Sequence, residues 1–140
     1  MKSILSLLAT ILLLWSCGTS RLAQSQISQS AWISASPGVV NGVKGTVMMT
    51  LFFTSDTDVK VMVSVQSGEN VIVKPFEYAR GIYTIDNTVK KGNGIILNMK
   101  DIQGKVLTMK GICKKGKALV LISNDDVTRL FGRIKNVNFE

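Results

Sequence analysis

The sequence contains no histidine. That removes Ser-His-Asp and Cys-His catalytic groups and every histidine-ligated metal site. Acidic side chains are scarce, nine Asp and Glu against seventeen Lys and Arg, for a formal charge of +8. Asp56 and Asp58, and likewise Asp125 and Asp126, stand in turn-like surroundings. Neither pair has the glycine and terminal glutamate that an EF-hand calcium loop sets at fixed spacing. Glu69, Glu77, Asp86 and Asp101 are the remaining carboxylate candidates. Nothing in their spacing brings two of them to the roughly 5–9 Å that glycoside hydrolysis needs. Two cysteines, Cys17 and Cys113, make no disulfide framework, and Cys113 has no activating base near it in sequence. The residues therefore read as a non-enzymatic protein with no catalytic group, cofactor or metal site. No aromatic-basic module of the RNA-binding kind is visible, so nucleic acid is not an expected partner. Long hydrophobic runs are missing too. None reaches the about 20 residues that a membrane-spanning helix requires.

The apolar run that is present lies at the N-terminus. Ile4 to Trp15 is twelve residues long, interrupted by Ser6 and Thr10 and preceded by Lys2. A basic start and an apolar stretch of about 7–15 residues are the marks of a secretion signal. A core helix placed there would be apolar all round and would precede a polar tract, an awkward position for a core element. Residues 1–16 are read as a cleaved signal peptide.

Leu14, Ser16 and Cys17 close this run. They resemble the lipobox of bacterial lipoproteins, in which an aliphatic and a small residue precede a cysteine; Trp15 is bulkier than the residue usual between them. The resemblance implies cleavage between Ser16 and Cys17, diacylglycerol on the Cys17 sulfur and acylation of the new amino group. Such an anchor is physically sufficient. Each buried CH₂ contributes about 0.8 kcal/mol, so one chain holds marginally and two or more hold stably. Ser16-Cys17-Gly18, with many lysines and few arginines, is similar to lipoproteins of the Bacteroidetes. Surface-exported members of that group often carry acidic residues after the cysteine, and Gly18-Thr19-Ser20-Arg21 has none. The resemblance thus implies an outer-membrane lipoprotein on the periplasmic face rather than the cell surface.

Residues 17–44 read as a lipidated cysteine and a tether. Gln24, Ser25, Gln26, Ser28, Gln29 and Ser30 bury no apolar area, and fourteen flexible residues reach about 20 Å. Within this stretch Ala31-Trp32-Ile33 is a candidate short strand, with Trp32 as a plug for one barrel end. Pro37-Gly38 and Asn41-Gly42 read as turns.

From residue 45 the pattern has period two. Val47, Met49, Leu51 and Phe53 share one face, and Thr46, Met48, Thr50 and Phe52 the other. Val59, Val61, Val63 and Val65 alternate with polar or flexible residues, an arrangement that a helix would scatter. Further strands are expected over 71–73, 76–85, 95–100, 106–113 and 118–122, with Pro75 at an edge or bulge. With Cys17 lipidated, Cys113 is left as a buried, inert thiol or an intermolecular bond, and its place in an alternating strand favours burial. At the C-terminus Val127, Leu130, Phe131 and Ile134 have helical spacing and predict a short helix, with a final barrel strand as the competing reading. Short strands separated by turn chemistry imply an all-β domain over 45–140, a small antiparallel up-and-down barrel or half-barrel. The run from Leu51 to Val61 and that from Phe76 to Ile85 look like the small lipocalin-like domains of Bacteroidetes lipoproteins. That likeness covers about 45–123 and implies a fold more than an activity.

Two candidate sites follow. Phe52, Phe76, Tyr78 and Tyr83 are candidates to line an apolar cavity. Lys90, Lys91, Lys114, Lys115 and Lys117 fall in two turns that a meander places on one rim. They form a candidate basic surface for anionic lipid or another anionic envelope component. Two functions fit these features. One is an envelope lipoprotein whose barrel binds a small apolar or lipid ligand, or an envelope partner. The other is a structural or interaction lipoprotein with a solid core and no ligand.

Overall fold

The computed structural model describes residues 22–86, 88–89 and 93–139. The expected signal peptide, Cys17, Lys90 and Lys91 lie outside the described residues. Within them the chain forms one short helix, α1 (Gln24–Ile27), and eight strands: β1 (Ser30–Val40), β2 (Val43–Phe53), β3 (Asp58–Ser67), β4 (Asn70–Asp86), β5 (Gly94–Asp101), β6 (Val106–Lys114), β7 (Ala118–Ser123) and β8 (Thr128–Arg133). Each strand pairs antiparallel with the next, and β1 pairs with β8, so the sheet closes as an up-and-down barrel.

Local chemistry sets the hairpins. Asn41 and Gly42 both have positive φ, 51° and 78°, and Val40 pairs with Val43 across them. That is the two-residue turn whose twist matches the flanking strands. Lys115 and Gly116 likewise have positive φ, 53° and 65°, but three residues, Lys115 to Lys117, separate the paired Lys114 and Ala118 between β6 and β7. Alternation then sorts the side chains. Val61, Val63 and Val65 are buried inside, as are Leu51 and Phe53 from β2, Leu97 from β5 and Leu119 and Leu121 from β7.

Three expectations need correction. The tether does not extend to residue 44. Its second half is α1 and β1, because Ile27, Ala31 and Trp32 supply apolar area that the polar tract lacks, and all three are fully buried. Pro37-Gly38 is not a turn but part of β1. The strand tolerates the proline there because β1 pairs with β8 only at Trp32 and Ile33, so Pro37 has a strand neighbour on one side alone. The C-terminal segment is a strand, not a helix. β8 pairs with β7 over five residue pairs and with β1 over two. Closing the barrel satisfies two sheet edges at once, and this outweighs a helical spacing read over eight residues.

The barrel has unlike ends. At one end lie α1, the β2–β3 and β6–β7 turns and the start of β1. Ser30 Oγ donates to the Ile27 carbonyl and accepts from Trp32 Nε1 at 2.8 Å. Gln29 N–H donates to the Phe53 carbonyl at 2.7 Å. Arg133 donates to the Gln26 carbonyl at 3.1 Å, which ties α1 to the last strand. Large side chains fill this closed half: Trp32, Phe53, Tyr83 and Phe131, each at most 1% exposed. Phe53 and Tyr83 meet edge to face, centroids 4.8 Å apart. The opposite end, with the β1–β2, β3–β4, β5–β6 and β7–β8 turns, is open.

Candidate functional site

The open half contains a cavity of about 420 Å³. Its origin is visible in β1. The inward positions run Trp32, Ser34, Ser36, Gly38, so bulk falls abruptly after the first. Ser34 pairs with Met49 and Ser36 with Val47, and all four line the cavity. Small residues facing medium ones leave space that no side chain occupies.

The opposite wall comes from bulges. Val63 pairs with Phe76, whereas Val65 pairs with Val73, so Lys74 and Pro75 both stand opposite Ser64. Met62 pairs with Glu77 and Val61 with Ala79, so Tyr78 is an extra residue between them. A bulge re-aims side chains that strict alternation would send outward. Phe76 and Tyr78 both line the cavity. Pro75 sits where the ladder is already broken, which is where a residue without an N–H is tolerated.

The other two aromatic candidates lie elsewhere. Phe52 faces outward, since alternation puts it opposite Leu51 and Phe53. Its ring meets Phe139 at 6.1 Å and lies beneath Lys60 Nζ at 5.7 Å. Tyr83 belongs to the filled half: its ring is buried, and its hydroxyl donates to the Ser55 carbonyl at 2.7 Å. Burial pushes its phenol above the usual range.

Polar groups line the cavity mouth from β8 and β1 and again from the end of β5. Arg129 lines it; on β8 it pairs with the inward Leu121 and precedes the inward Phe131 by two. Its guanidinium donates to Ser123 Oγ at 3.4 Å. Among the described residues the ion pair within 4 Å is that of Arg80 with Glu77, on the outer wall. Arg129 therefore has no carboxylate partner at that distance among the described residues. Two carboxylates are near and otherwise engaged. Asp101, also in the lining, accepts the Gln103 and Lys105 N–H groups at 2.9 Å each. Asp125 accepts the Ser123 hydroxyl, which holds its pKa below the usual range. The sequence offered one signal for Arg129, the alternation Arg129-Phe131-Arg133, which the helical spacing of the same segment concealed.

Lys114, Lys115 and Lys117 are exposed at the closed end, on the side opposite the cavity. Cys113 is buried and free among the described residues, and burial pushes its thiol up. No group of three or more His, Cys, Asp or Glu arranged to hold a metal occurs among the described residues. No helix among them is long and apolar enough to cross a membrane.

No protein-family model matches the chain, and no curated protein matches it in sequence. Among solved structures, a redesigned β-barrel is similar over 86% of this chain and 100% of its own, with 10% sequence identity and a TM-score of 0.44.

Proposed function

We propose that this chain is a lipid-anchored envelope protein, non-enzymatic, whose barrel binds a small apolar or lipid ligand in its open half. The observation that carries the binding reading is the cavity. At about 420 Å³ it falls within the roughly 300–1,000 Å³ of small-molecule sites, and Val47, Met49, Val63, Phe76 and Tyr78 give an otherwise polar lining an apolar wall. The anchor reading rests on Leu14, Ser16 and Cys17. It puts the protein on the outer membrane, facing the periplasm, with Cys17 five residues before the buried Leu22. Leu22 and α1 belong to the closed end, so an anchor at Cys17 leaves the cavity mouth directed away from its own attachment point.

The alternative, an interaction lipoprotein without ligand, has one observation in its favour. Val39, Val71, Ile72, Ile102 and Val106 are exposed around the open end, and clustered exposed apolar residues mark contact surfaces. Solvent extraction of the purified protein followed by mass spectrometry separates the two. A lipid or other apolar compound near one per chain supports the binder. An extract with none, together with no uptake of an apolar fluorescent probe, supports the interaction protein. For the anchor, labelled palmitate is expected on the wild-type chain and not on Cys17→Ser. Equal labelling of both rejects it.

A further inference from the structure

The cavity is not uniformly apolar: Asp101 and Gln103 line it beside β4, Asn41 at the β1–β2 turn, and Arg129 with two serines on β8 and β1. Val47, Met49, Val63 and Phe76 form one wall. On the other side stand Arg129 and the hydroxyls of Ser34 and Ser36. This is also where β1 leaves β8: the two strands pair at Trp32 and Ile33, and no further pair forms toward the open end. Arg129 thus stands at the widening seam of the barrel.

A guanidinium facing inward in a barrel needs a reason. Cation and stem together fill space that Leu or Ile would fill with less desolvation. Arg129 is half-buried, and among the described residues its guanidinium makes one hydrogen bond to protein, at 3.4 Å to Ser123 Oγ, which leaves most of its five donors unused there. The neighbouring carboxylates do not take them. Asp101 is occupied by two turn N–H groups and Asp125 by the Ser123 hydroxyl and, at 3.4 Å, the Val127 N–H. Both still put negative charge near the mouth, so a ligand anion must lie closer to Arg129 than they do.

Building on the reading of the barrel as a ligand binder, we propose that its ligand is an anionic amphiphile. A carboxylate or phosphate head group lies on Arg129 with the Ser34 and Ser36 hydroxyls beside it, and a hydrocarbon tail lies against Val47, Met49, Val63 and Phe76. A guanidinium fork matches either oxyanion through paired hydrogen bonds. Bonds to a charged partner in a partly dry site are the strong ones. A neutral lipid would leave Arg129 desolvated without compensation.

The test compares dodecanoate, dodecyl phosphate and dodecanol, each titrated by displacement of an apolar fluorescent dye from the full chain and from Arg129→Gln and Arg129→Lys. The expected result is that at least one of the two anions binds wild type more tightly than the alcohol does. Arg129→Gln then weakens that anion by on the order of ten- to a hundredfold and leaves dodecanol unchanged. Arg129→Lys, which keeps the charge and loses the fork, lies between. If all three probes bind wild type equally and Arg129→Gln alters none, the head-group assignment is overturned while the binder stands. Should no probe displace the dye, or the dye itself fail to bind, the binder reading falls and this inference with it. Far-ultraviolet circular dichroism of each variant separates loss of binding from loss of fold.

Discussion

Arg133 lies over the indole of Trp32, its guanidinium carbon 5.4 Å from the ring centroid. The contact joins the last strand to the first at one of the two residue pairs that close the barrel. The same guanidinium donates to the Gln26 carbonyl at 3.1 Å, so one side chain holds seam and helical cap together. The stem covers apolar surface while the head stays in water.

Arg133→Ala is expected to lower stability by about 1–2 kcal/mol, from a cation–π contact and a charged hydrogen bond lost together. Trp32→Ala removes a fully buried side chain and is expected to lose about 3–5 kcal/mol. Urea denaturation followed by circular dichroism measures both. A midpoint unchanged in Arg133→Ala removes the seam from the account.

Gly111 and Gly132 make a paired test of barrel closure. A Cβ on Gly111 would lie 1.8 Å from the Val120 carbonyl oxygen, whereas one on Gly132 would meet nothing within 4 Å. The first conflict is with backbone, which cannot rotate away. Gly111→Ala is expected to destabilise by at least about 1–3 kcal/mol, and Gly132→Ala to stay within about 0.5 kcal/mol. Equal melting temperatures for the two variants would contradict the packing of β6 on β7.

Burial raises the pKa of the Cys113 thiol and of the Tyr83 phenol. Both remain protonated in the fold at a pH where the unfolded chain has begun to lose those protons. The unfolded state therefore gains, and stability falls as pH rises through the ordinary thiol range, near about 8.5, and then the phenol range, near about 10. Cys113→Ala is expected to flatten the first part of that decline. Its loss at neutral pH is about 1–2 kcal/mol. Denaturant midpoints between about pH 7 and 10 check the slope, and an identical slope in the variant excludes Cys113 as its source. A thiol reagent is expected to label Cys113 only at the pace of unfolding.

Lys114, Lys115 and Lys117 project from the β6–β7 turn at the end of the barrel where α1 lies. Reversing all three to glutamate is expected to weaken retention on anionic vesicles by at least tenfold, since each lysine near such a surface contributes about 1 kcal/mol. The effect is expected to shrink as salt rises. Equal retention of wild type and variant at low salt excludes this turn as the contact.

The strands were readable wherever one side of the sheet faces the barrel interior without interruption. Val59, Val61, Val63 and Val65 carry the pattern for β3, and Asn41-Gly42 names its own turn. The misread elements are those whose conformation answers to distant partners. β1 contains Pro37-Gly38, which reads locally as a turn and is held extended by β2 alone. Phe52 sits among residues whose alternation already sends it outward. Its aromatic character suggested a cavity lining, but what it touches are Phe139 and Lys60 on the outer surface.

From the residues alone came the absence of histidine chemistry, the lipobox-like start, the period of two and the hairpin turns, all of which depend on near neighbours in the chain. Closure of β8 onto β1, the bulges that turn Phe76 and Tyr78 inward, and the inward guanidinium of Arg129 were decided by tertiary structure. Each depends on pairing between segments far apart in sequence, with edge hydrogen bonds and interior volume satisfied together. Spacing within one segment carries no record of either.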